Sequence, residues 1–192
     1  MYQNYLARKE RIMITAIDLL DEMGVNGLTT KEIARRQSIS EPAIYKYFDG
    51  KKHIITEILE RFSHFDEVIN NTIIDNNMQG STGILYFVSA YAEYYQNYPQ
   101  IASVMFSFDT FRYDPDTNGK MTAIMEHRYA MLEDLINQAV ENREVPKETG
   151  VQTLIDAIFG VIWSTTYYWK LTGAKFDLKD RILNAVKMIL HH

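Results

Sequence analysis

At 192 residues the chain is long enough to bury a substantial core in one domain, or in a small domain joined to a larger one. With 46% apolar and 23% charged residues it falls among globular proteins and outside the disordered, collagenous and fibrous classes. The lack of cysteine excludes a disulfide framework, a thiolate metal site and a cysteine nucleophile, and leads us to expect a reducing, cytoplasmic setting. The net charge of -5 is unevenly spread: residues 1–52 hold nine Lys/Arg against seven Asp/Glu, leaving eleven against eighteen for residues 53–192. Basic charge is therefore concentrated at the front, a mild electrostatic footprint for phosphate. Arg8, Lys9 and Arg11 precede no secretory cleavage pattern, and the longest apolar stretches, near 84–92 and 157–163, fall short of the roughly 18 residues a membrane span needs. Neither export nor a membrane segment is expected.

Nearly every segment reads at helical period, so an all-α fold is expected. Ile12, Ala16, Leu19, Leu20 and Met23 mark a first helix that Gly24 would end in a left-handed cap. Thr29 followed by Glu32 is a capping-box pattern that opens a second, short helix to about Gln37, with Ile33 and Ala34 facing inward. Ser40 offers the next N-cap, and Pro42 is tolerable in a first turn whose amides lack partners anyway. That third helix carries Ile44, Tyr45 and Phe48. A long connecting helix follows from Lys51 through Ile54, Ile58, Phe62, Phe65 and Ile69. Further helices are expected over 82–98, 99–108, 120–142, 148–171 and 178–190. Residues 112–119, containing Asp114, Pro115, Asn118 and Gly119, give the strongest loop signal in the second part and the expected mobile segment.

The run from Thr29 to Lys51, TTKEIARRQSISEPAIYKYFDGK, together with the helix before it, closely resembles the DNA-binding domain of the TetR family of repressors over roughly residues 8–60. Gly24, the Thr-x-x-Glu cap before Ile33 and Ala34, and the set Ser40, Ile44, Tyr45, Tyr47, Phe48 and Lys51 carry the resemblance. The chain departs from the family in the turn, where Gln37 and Ser38 replace a small residue and a glycine, so Ser38 must take a strained or altered turn. The resemblance implies a helix-turn-helix domain over residues 1–50 and a larger helical domain for effector binding and dimerisation over residues 51–192. A short helix with small and polar residues at its start fits the major groove, whose base edges carry a distinct code. Glu41, Pro42, Ala43 and Lys46 are expected near bases, with Lys31 from the second helix. Thr30, Tyr47 and Lys51 correspond to phosphate-contacting positions, and Tyr45 suits either role.

For the remainder, the resemblance implies a homodimer on a palindromic operator, released by a small-molecule effector in a pocket among the C-terminal helices. Ile158 and Ile162 lie on a wide apolar face, Gly160 and Ser164 lie four apart where small side chains admit a neighbouring helix, and Ile182, Val186 and Ile189 form a matching stripe. These seven are the candidate dimer contacts, and the alternative is that they seal the monomer core. Tyr91, Tyr95, Phe106, Phe111, Met125, Tyr129, Trp163 and Tyr167 are the candidate lining for a largely apolar or aromatic effector, with His127 and Arg128 as polar anchors. No cofactor and no metal are expected: HExxH, a phosphate loop and GxSxG are missing, and His53, His64, His127, His191 and His192 match no common metal spacing. The chain is read as not an enzyme. Two alternatives remain: a helical small-molecule-binding protein of this fold without DNA affinity, and an all-helical enzyme acting on an apolar substrate.

Overall fold

The computed structural model describes residues 7–146, 148 and 150–190; His191 and His192 lie outside the described residues. Described residues fold into α1 (Arg8–Gly27), α2 (Thr30–Gln37), α3 (Glu41–Ile44), α4 (Lys51–Asp75), α5 (Gly80–Asn97), α6 (Pro99–Phe106), α7 (Phe108–Phe111), α8 (Pro115–Glu141), α9 (Val151–Leu171) and α10 (Leu178–Leu190), with no strand among them. None of these helices is long and apolar enough to cross a membrane. The chain divides into two compact units, the first reaching to Ser63 and adding Ser103–Ala123, the second comprising His64–Ala102 and the chain from Ile124 onward.

In the first unit the stripe Ile12, Ala16, Leu19 and Leu20 is buried, as its period requires. Gly24 interrupts α1 with φ 66° and ψ -174°, a conformation that a Cβ disfavours, and one more turn follows to Gly27. Met23, expected in the stripe, is 54% exposed. Thr29 caps α2 by accepting from the Glu32 amide at 3.1 Å. Gln37 donates to Thr15 at 2.6 Å, and Arg36 donates to Glu22 at 2.7 Å, so α2 is tied to α1 at both levels.

Ser38, where the family pattern has glycine, stands in the left-handed region at φ 52° and ψ 43°. The Ser38 amide donates to Arg35 O and the Ile39 amide to Ala34 O, which together form a Schellman closure. Since a Cβ costs about 1 kcal/mol in this conformation, Ser38→Gly is expected to stabilise the protein by about 0.5–1 kcal/mol after the added chain entropy of glycine. An increased urea midpoint checks this; an unchanged or lowered one contradicts it.

The first unit extends beyond residue 50. Phe62 meets Phe108 edge-on with ring centroids 6.4 Å apart, Lys52 pairs with Asp114 at 2.9 Å and Asp116 at 2.6 Å, and Ser103 bonds Asp21. The expected loop over 112–119 is corrected: α8 begins at Pro115 and takes in Asn118 and Gly119. The reason is local, because Asp114 Oδ1 accepts from the Asp116 and Thr117 amides at 3.1 Å each, and proline at a first helical position has no amide to leave unsatisfied.

In the second unit α10 packs on α5 and α9. Ile158, Ile162, Ile182 and Val186, expected at a dimer interface, are buried within this one chain and close its core. The wide apolar face of α9 is satisfied internally by the stripe of α10 and by α5, which leaves those four no surface to offer a partner. Ile189 is half-buried, while Gly160 and Ser164 are exposed on the opposite face of α9.

Candidate nucleic-acid interface

Burial sorts the helix-turn-helix into two sets. Leu28, Ile33, Ala34, Ile44 and Phe48 are buried, locking α2 and α3 onto α1. Lys31, Pro42, Lys46, Tyr45 and Tyr47 are exposed, and Thr30, Glu41, Ala43 and Lys51 are half-buried beside them. The nine candidate DNA contacts therefore all lie outside the core. α3 itself is only Glu41–Ile44 and passes into turns over Tyr45–Tyr47, shorter than the period suggested. Ser40 has the extended backbone of an N-cap, but its side chain makes no capping bond. A four-residue helix has no stability of its own, so its placement rests on Ile44 and Phe48.

Four candidates have prior partners. Thr30 Oγ1 donates to Glu41 Oε1 at 2.6 Å and lies 3.4 Å from the Tyr45 hydroxyl. The Lys51 ammonium donates to the Val25 carbonyl at the end of α1, and partial burial moves its pKa down from the ordinary lysine value. Two further N–H donors remain on that ammonium. Glu32, half-buried, is held at about 2 by its hydrogen bonds to Arg35 and then Arg36. Both arginines are thus engaged within the first unit.

The second unit contains a charged cluster that the sequence reading did not foresee. Arg128 donates from Nε to Asp66 Oδ2 at 2.8 Å and from Nη2 to Oδ1 at 3.0 Å, and both side chains are buried. The Tyr91 hydroxyl donates to Asp66 Oδ1 at 2.6 Å, and the guanidinium lies 4.7 Å from the Tyr91 ring centre. Burial pushes the Tyr91 and Tyr95 hydroxyls above the ordinary phenol pKa, so both are neutral. The signal for Asp66 was its register: it falls on the inward face of α4 between buried Phe62 and Ile69, where an unpaired carboxylate is not tolerated. Arg128, read as a polar anchor for a ligand, is instead occupied by Asp66, and His127 is exposed.

The other effector candidates divide between the two units. Phe111 and half-buried Phe106 belong to the first unit, whereas Tyr91, Tyr95, Met125, Tyr129, Trp163 and Tyr167 belong to the second. Tyr91 and Tyr95 are buried with ring centroids 6.3 Å apart, Tyr129 stacks on Phe159 at 4.5 Å, and Tyr167 is 53% exposed. A groove of about 330 Å³ on the second unit is lined by Phe65, Val68, Tyr86, Glu93, Tyr94 and Tyr98 among others, and by none of the eight candidates.

A buried helix-turn-helix scaffold that leaves lysines, tyrosines and small residues outside, followed by a larger helical region, has the form of a DNA-binding regulator. Residues 12–58 match the family of bacterial regulatory proteins named tetR, and residues 58–192 match the C-terminal region of YsiA-like protein. The chain belongs to the TetR family of bacterial regulatory proteins.

Tetracycline repressor protein class C of Escherichia coli is 34% identical over 53 residues, which cover 28% of this chain and 24% of that protein. The chain thus spans about a quarter of the length of the tetracycline repressors it matches. The fatty acid metabolism regulator protein of Bacillus subtilis (strain 168) is 20% identical over 169 residues, 88% of this chain and 86% of that protein. In fold, the chain is similar to the transcriptional regulator FadR from Bacillus subtilis in complex with stearoyl-CoA, with a TM-score of 0.80, 18% identity and coverage of 95% of this chain and 98% of that one.

Proposed function

We propose that this chain is a cytoplasmic transcriptional repressor that binds a palindromic operator as a homodimer and is released by a small, largely apolar effector. The observation that carries the reading is the sorting of the helix-turn-helix, in which every candidate DNA contact lies outside a core closed by Ile33, Ala34, Ile44 and Phe48. Residues 1–50 contact DNA in this reading, and residues 51–192 serve effector binding and dimerisation. Two recognition helices reach successive major grooves, and the effector favours a dimer whose heads no longer match the operator spacing. Only a ligand with different affinities for the two states shifts that balance. Likeness along most of the chain to a fatty acid metabolism regulator, and a fold shared with a stearoyl-CoA complex, favour an acyl chain as the effector. Met125, Tyr129 and Trp163, half-buried in the second unit, are the residues that best keep apolar surface for it.

The dimer contact moves to the outward face of α9. Gly160, Ser164, Tyr167, Tyr168 and Leu171 recur at helical period there, with Tyr168 51% and Leu171 68% exposed, and Met188 of α10 is 61% exposed. Exposed large apolar residues beside small ones suit a close helix approach by a second copy.

The test is selection of binding sites from a random duplex library, with sedimentation of the free protein and salt titration of the selected site. A palindromic site bound by a species of dimer mass is expected, with Lys51→Ala weakening all sequences and lowering the salt slope by about one. Enrichment of no sequence, or a monomeric binder, overturns the reading.

A further inference from the structure

Helix α3 carries one carboxylate, Glu41, and its environment is unlike that of Glu22 and Glu32. Glu22 and Glu32 are bonded to arginines. Glu41 has no cationic partner among the described residues; its only hydrogen bond is the one accepted by Oε1 from Thr30 Oγ1 at 2.6 Å, which leaves Oε2 without a partner. Because the Thr30 proton is committed to Glu41, the Tyr45 hydroxyl 3.4 Å away is the donor in the weaker contact to Thr30 Oγ1. Tyr45, Thr30 and Glu41 therefore form a chain that aims a carboxylate from the first position of the recognition helix.

A carboxylate facing a polyanion is unfavourable unless it accepts a hydrogen bond there. An ionised carboxylate is an acceptor only. In the major groove guanine presents N7 and O6 and thymine presents O4, all acceptors that repel it, while adenine places an acceptor N7 beside its amino group; cytosine presents only the N4 amino donor. We infer that Glu41 is the specificity-determining residue for a cytosine in each operator half-site, and that Thr30 is its positioning residue rather than a phosphate contact. This inference rests on the regulator reading above and adds the base that one residue selects.

The experiment repeats the library selection with the wild type, Glu41→Gln and Thr30→Val. The wild-type site should carry cytosine at one position of each half-site, preferred about tenfold over the other bases. Glu41→Gln, which adds a donor and can pair bidentately with adenine, should move that position to adenine while the other positions keep their bases. Thr30→Val, which keeps shape and removes the hydroxyl, should lower the cytosine preference several-fold and leave the salt slope unchanged; loss of a phosphate contact would instead weaken all sequences alike. If the wild type selects a site and Glu41→Gln selects the same base at every position, the assignment is overturned and the regulator reading stands. A uniform loss with Thr30→Val overturns the positioning role. Failure of the wild type to enrich any sequence overturns both readings together.

Discussion

Arg128→Met is expected to lower the unfolding free energy by about 3–5 kcal/mol, because it strands a carboxylate in the core of the second unit. Asp66 is fully buried and Arg128 is 3% exposed, so neither group has bulk water to fall back on. The two guanidinium bonds at 2.8 and 3.0 Å supply both the countercharge and two of the three donors to Asp66; Tyr91, at 2.6 Å, supplies the third. Methionine fills much of the volume but gives back neither charge nor donors. The pair as a whole contributes much less than this, since desolvation of both ions offsets most of their attraction. Asp66→Leu combined with Arg128→Met should therefore cost well under the sum of the single changes, within about 2 kcal/mol of the parent. Urea denaturation of the four proteins completes the cycle. A single-variant loss under about 1 kcal/mol, or a double variant as unstable as the single, would show that the cluster does not behave as a buried ion pair.

Phe48→Ala is expected to cost about 3–5 kcal/mol and to abolish operator binding at physiological salt. Phe48 is 1% exposed, with the His53 ring 5.6 Å away edge-on and the Lys9 ammonium 5.5 Å from its ring centre. It closes the turn that follows α3, its amide bonding Ile44 O at 3.1 Å. Truncation leaves a cavity at the point where a four-residue helix is anchored, and such a helix does not hold its geometry alone. Phe48→Leu, which keeps most of the apolar volume, should lose about 1 kcal/mol and retain the same preferred sequence. Thermal unfolding and operator titration check both variants. Normal binding by a folded Phe48→Ala protein would mean that the recognition helix is held by something other than this contact.

The helix-turn-helix was legible because its signals are local. A hydroxyl at Thr29 three residues before Glu32, the alternation of Ile33 and Ala34 with charged neighbours, and Pro42 in a first turn depend on bonds between residues within one or two turns. The departure at Ser38 was legible for the same reason, since a missing glycine leaves the turn either strained or altered, and the structure takes the strained left-handed form. Asp114 and Pro115 were misread as a loop because the same residue types initiate both turns and helices. Only the carbonyls and amides that follow distinguish the two.

The effector and dimer residues were less legible because period shows that a face is apolar and not what covers it. Ile158, Ile162, Ile182 and Val186 answer one another across α9 and α10 of one chain, while Tyr168, Leu171 and Met188 are left outside. By itself, then, the amino-acid sequence determined an all-helical chain with a helix-turn-helix at its front, the Thr29 cap of α2 and the backbone break at Gly24. The tertiary structure alone decided that Asp66 meets Arg128, 62 residues away, that Thr30 aims Glu41, and that Lys51 reaches Val25. Local pattern is set by bonds a few residues long, whereas these pairings exist only once packed helices bring distant side chains within hydrogen-bond reach and exclude the water that would otherwise satisfy them.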